Sequence, residues 1–114
     1  YLISQFFSIS VFSQTVMYFC DKPEMISWTE SPYVWKKINK TIERDLYFQY
    51  NLKLGRARVK YSGVWYSWTP AKFDINEISW SYTEKFTYKF KVNSNSVIEK
   101  QNYLFLKFEN CTII

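Results

Sequence analysis

The stretch DLYFQYNLKL, residues 45–54, alternates with a period of two. Leu46, Phe48, Tyr50, Leu52 and Leu54 fall on one side, and Tyr47, Gln49, Asn51 and Lys53 on the other, as a half-buried β-strand requires. Gly55-Arg56 reads as a tight turn into ARVKYSGVWYSW, where Ala57, Val59 and Tyr61 alternate with Arg58 and Lys60, and Gly63 marks a bulge or turn. KFTYKFKV repeats the pattern, with Phe86, Tyr88, Phe90 and Val92 inward and Thr87, Lys89 and Lys91 outward. NSNS at 93–96 is turn chemistry, because Asn and Ser side chains bond their own backbone. NYLFLKFE then sets Leu104, Leu106 and Phe108 against Tyr103, Phe105 and Lys107, both sides partly apolar.

MISW and YVWKKI read as short strands broken by Ser31-Pro32, Pro70 as the end of another strand, and DINEISWSY as ambiguous between strand and turn. No stretch sustains a 3.6-residue apolar period, and strands recur about every ten residues. The expected fold is all-β, a two-sheet antiparallel immunoglobulin-like β-sandwich spanning residues 16–114. Residues 1–15 are either the remnant of a signal peptide or a first strand, since nothing charged precedes Asp21 while Ser and Gln interrupt each apolar run.

At 114 residues the chain can bury one core. Aromatic residues make up 22% of it, so that core is built largely from rings. The net charge of +5 favours anionic partners without selecting one. Histidine is absent, which excludes Ser-His-Asp and Cys-His nucleophile systems. Two isolated glycines make no phosphate loop, and two thiols without histidine make a metal site improbable. Asp74 and Glu77 are the sort of carboxylates glycoside chemistry uses, but they read more simply as solvated loop charges. Neither an enzymatic activity nor a cofactor is expected. Arg56, Arg58, Lys60, Lys89 and Lys91, interleaved with aromatics, offer a single-strand nucleic-acid surface on one reading and the solvated outer side of two strands on the simpler one.

The sequons at Asn39 and Asn110 accept glycans if the chain is secreted, and the expected location is extracellular. There Cys20 and Cys111 would pair, the alternative being two unrelated buried thiols. A bridge closing so long a loop contributes on the order of 4–5 kcal/mol in the chain-entropy view.

Three segments carry a resemblance. MYFCDKPEMIS, ERDLYFQYNLKL and YKFKVNSNSVIEKQNYLFLKFENCTII are similar to the early, central and final strands of the ML lipid-recognition family, in its subgroup of Toll-like-receptor co-receptors. The resemblance implies a disulfide between first and last strands, Cys20 to Cys111, and a cavity between two sheets that takes a lipid or other apolar ligand and presents it to a leucine-rich-repeat receptor ectodomain. The implied lining is Phe48, Tyr50, Leu52, Val59, Tyr61, Phe86, Tyr88, Phe90, Leu104, Leu106 and Phe108, with a headgroup rim of Arg56, Arg58, Lys85 and Lys89. The chain departs from the family in lacking further cysteine pairs and in being short between Tyr61 and Phe86. On the residues alone the same inward positions make an ordinary filled core, and the alternative function is an immunoglobulin-like interaction module, an adhesion or immune-modulating domain. Trp28, Trp35, Trp65, Trp68 and Trp80 lie between the cysteines, but Cys111 is too terminal for the usual mid-strand bridge.

Overall fold

A computed structural model describes residues 15–28, 34–37 and 44–114. They form β1 (Thr15–Cys20), β2 (Met25–Ser27), β3 (Lys36–Lys37), β4 (Leu46–Asn51), β5 (Arg56–Tyr61), β6 (Val64–Trp65), β7 (Thr69–Asp74), β8 (Glu77–Thr83), β9 (Phe86–Lys91), β10 (Ser96–Gln101), β11 (Leu104–Phe108) and β12 (Thr112–Ile113). All pairings are antiparallel, and the order along the sheet is β12-β1-β4-β5-β7-β8-β9-β10-β11-β2-β3, with β6 hanging from β5. The fold is all-β. Hydrogen bonding runs unbroken through β7, which joins β5 only at Arg56↔Pro70 and Ala57↔Thr69 before pairing with β8 over four positions. That short joint lets the sheet curl until the inward rings of β1 and β4 meet those of β8 and β9.

Alternation becomes packing in the interior. Phe48, Val59, Tyr88, Phe90, Val97 and Phe108 are fully buried, and Tyr18, Tyr50, Ile78, Trp80 and Leu106 nearly so. The Tyr18 ring stacks on Phe48 at 5.2 Å and meets Phe90 from the opposite side of the curl at 4.7 Å. Phe48 lies 4.9 Å from Phe90 and 5.5 Å from Trp80, and Trp80 stacks on Tyr88 at 5.3 Å. Offset and tilted pairs at these separations are the favoured arrangements of aromatic quadrupoles.

With only two glycines available, the turns use asparagine instead. Asn76, Asn95, Asn102 and Asn110 all take positive φ between 49° and 64°, the left-handed region that Asn tolerates better than other side chains. At Ser62-Gly63 both central residues have positive φ, as in a type I′ hairpin turn, and Tyr61 pairs with Val64 across it.

Several expectations are revised. The β4 alternation stops at Asn51, whose side-chain oxygen accepts from the Leu54 backbone N–H at 2.9 Å and turns the chain. Leu52 and Leu54 therefore project from the turn at 57% and 58% exposure. Val92 likewise lies past the end of β9, half exposed. Pro70 does not end a strand but is the second residue of β7, near the joint with few ladder bonds where proline is tolerated. DINEISWSY resolves into a two-residue turn, Ile75-Asn76, followed by β8. Residues 1–14 lie outside the described residues, and β1 begins at Thr15.

Cys20 and Cys111 are joined in a disulfide across a sequence separation of 91, with both residues buried. Cys20 closes β1, and Cys111 precedes β12, which pairs with β1 at Tyr18↔Ile113 and Phe19↔Thr112. The chain thus crosses from β11 to the far edge of the sheet and is covalently fastened where the curl closes. The Cys111 N–H also donates to the Asn95 carbonyl at 2.8 Å, tying the β9–β10 turn to the same seam.

Candidate functional site

Of the residues implied to line a cavity, Phe48, Tyr50, Val59, Tyr88, Phe90, Leu106 and Phe108 belong to one buried cluster, with Phe86 and Leu104 packed against it half-buried. Tyr61 sits at the margin, its ring 6.4 Å from Phe86. Leu52 is in the exposed turn and does not join them. Of the implied rim, Arg56 and Arg58 share the outward side of β5. Lys89 stands on β9, three strands further along the sheet and so roughly 14 Å away by strand spacing. Lys85 lies in the exposed β8–β9 turn, so the four do not ring a single opening. Asn110 is exposed at the turn before Cys111, and Asn39 lies outside the described residues.

One end of the interior is polar. Glu99, on the inward side of β10, is fully buried and takes a bidentate contact at 2.5 Å from the two terminal nitrogens of Arg44, just ahead of β4. Gln101 Nε2 donates to the same carboxylate. The guanidinium plane stacks on Tyr61 at 4.1 Å and reaches Phe108 at 5.7 Å. Burial alone would lower the Arg44 guanidinium, but hydrogen bonding and charge from Glu99 more than reverse it and hold Arg44 above its ordinary value. Burial also pushes the Tyr88 hydroxyl far up, helped by the negative Glu99 beside it, so this tyrosine is neutral at every physiological pH. Taking two charges out of water is costly, and removing either partner would strand the other. The cluster is a fastening between β4 and β10.

The outward side of β5 is organised differently. Arg56, Arg58 and Lys60 stand at successive outward positions, and the I′ turn at Ser62-Gly63 folds β6 back so that Trp65 lies opposite Lys60. Trp68, just ahead of β7, completes the row. The Arg56 guanidinium is 4.6 Å from the Trp68 ring centre, and Arg58 is 4.6 Å from both Trp65 and Trp68. The Lys60 ammonium is 5.1 Å from Tyr47 and 5.9 Å from Trp65. Arg58 Nε donates to Gln49 Oε1 at 2.8 Å, and Tyr47 packs on Phe19 at 4.9 Å. These side chains are half-buried. Among the described residues none of the three cations is in an ion pair; the pairs formed are Arg44–Glu99, Lys91–Glu77 and Lys107–Glu109.

Sequence reasoning placed Arg56, Arg58 and Lys60 on the outer side of β5 but did not connect them with Trp65 and Trp68. The signal was the positive-φ pair Ser62-Gly63, which reverses the chain and lays WYSW back over the strand. Comparison of the chain with protein families, curated proteins and solved structures finds no match. The lipid-recognition resemblance therefore rests on the quoted segments alone.

Proposed function

We propose that this chain is an extracellular interaction module with a filled interior, which meets its partner on the outside of the sheet. The observation that carries this reading is the ring contact across the curl: Tyr18 lies 4.7 Å from Phe90, and Phe48 lies 4.9 Å from Phe90 and 5.5 Å from Trp80. An acyl chain between the two sides would have to part these rings, and at interior packing density each lost contact is uncompensated unless the ligand restores it. The buried Cys20–Cys111 bridge supports an oxidising compartment.

Native mass spectrometry of the purified protein, with organic extraction of the same sample, tests the reading. Protein at its own glycan-corrected mass, with no stoichiometric lipid in the extract, is expected. A lipid recovered at one per chain would overturn it and favour sequestration of an apolar ligand between the two sides of the curl.

A further inference from the structure

We infer that the outward side of β5 is a binding track for a linear sulfated polysaccharide, with sulfate groups seated on the free edges of the Arg56 and Arg58 guanidinium planes and on the Lys60 ammonium. The inference rests on the extracellular module proposed above and names its ligand class.

Four observations lead there. The first is charge: Arg56, Arg58 and Lys60 are adjacent on one strand, and the outward residues beside them on β1 and β4 are Thr15, Met17, Phe19, Tyr47, Gln49 and Asn51, without a carboxylate. Asp45, just ahead of β4, shares a hollow with Tyr47 and Lys60 at one end of the row, but among the described residues it forms no ion pair with any of the three cations. Positive charge is therefore in excess over a row roughly 13 Å long at the strand rise. The second is preorganisation. Each cation is already held over a ring, so little side-chain freedom is lost on binding, and a guanidinium fork matches an oxyanion in bidentate fashion.

The third decides between polyanions. Single-stranded nucleic acid is held by bases stacking on free aromatic faces. Here Trp68 carries Arg56 and Arg58, and Trp65 carries Arg58 and Lys60, so cations occupy the ring faces. What the surface presents is charge edges, suited to a polyanion without bases. The fourth is the ground beyond the row. Arg56 pairs with Pro70, and Thr69 and Pro70 form one wall of a shallow groove of about 470 Å³ flanked by Lys72 and Lys89 over the hydroxyls of Ser79 and Ser81. The positive row thus runs on into an open groove bordered by two further lysines, which a chain molecule can follow and a small enclosed anion does not need.

The test is isothermal titration with a defined heparin oligosaccharide, together with elution from immobilised heparin. The wild type is expected to bind with steep salt dependence. Arg56→Gln with Arg58→Gln is expected to weaken binding roughly tenfold to hundredfold, the range for losing hydrogen bonds to charged groups. Arg56→Lys with Arg58→Lys keeps the charge, removes the fork and is expected to fall between. Lys36→Gln with Lys37→Gln, exposed on the distant strand β3, removes equal charge and is expected to change little. Circular dichroism and thermal unfolding confirm that each variant is folded. Equal losses from the β3 and β5 pairs would overturn the inference, as would single-stranded DNA or phosphatidylserine vesicles binding as tightly as heparin. Absence of heparin binding with no lipid in the mass spectrum would defeat this inference alone, whereas recovered lipid would defeat the filled-interior reading and leave the heparin result to stand by itself.

Discussion

Arg44 and Arg58 both stack a guanidinium on aromatic rings, yet one is closed off and the other is available. Arg44 has a bidentate carboxylate, an amide neighbour on that carboxylate and a position at the end of the interior. Arg58 has two tryptophans and the oxygen of Gln49, which hold it in place without cancelling its charge. Stacking is common to both; neutralisation is not. A paired buried charge is spent on fixing strands relative to one another, while a stacked but unpaired one keeps its field for a ligand.

The largest expected effect breaks the closed side. Glu99→Ala leaves the Arg44 charge buried without a partner and should cost about 3–5 kcal/mol in urea unfolding, and Arg44→Ala/Glu99→Ala should recover part of that loss because no stranded charge remains. Equal destabilisation by Arg58→Ala would erase the distinction. A second, intermediate effect comes from alkaline pH. Burial, reinforced by the Tyr18 hydroxyl, pushes Tyr50 up to about 12 from an ordinary 10.0. Because the folded value is the higher one, its stabilisation is complete below pH 10 and is lost as pH rises through 12. The unfolded chain releases the proton first, so stability falls by about 1.4 kcal/mol per pH unit across that window. Tyr50→Phe should flatten the decline in a pH series of urea midpoints. The smallest effect belongs to the open side: Arg58→Ala removes two half-exposed cation–π contacts and should cost about 1 kcal/mol, read from the same unfolding curves and accompanied by a change in tryptophan emission.

Much of the fold was legible because alternation is a local signal. β4, β5, β9 and β11 present the sides expected of them: Phe48, Val59, Phe90 and Phe108 face in, and Arg58, Lys60, Lys89 and Lys107 do not. The failures are non-local or lie at ends. Glu99 looks like one more solvated charge in VIEKQ, and nothing nearby reveals that its partner is Arg44, 55 residues earlier. Leu52 continued the right period, but the Asn51 side chain ended the strand beneath it. The tryptophans at 65 and 68 suited a core by composition, and only the reversal at Ser62-Gly63 sends them outside. With two cysteines one bridge was open to the chain, but its formation rested on the extracellular expectation and the family resemblance, the alternative being two separate buried thiols; the structure joins them. Cavity or filled core could not be separated at that level, because inward aromatic residues serve both.

The seam at β12 has a consequence for biogenesis. Strand β1 is synthesised first, but its outer neighbour is made only when Thr112 and Ile113 exist, and its sulfur partner one residue before them. The edge of the sheet therefore stays unfinished throughout translation of the intervening strands, and closure is a step of high contact order that waits for residues 111–113. An oxidase acting on the nascent chain would find Cys20 without its mate, so correct bridging is timed by the ribosome as much as by the fold.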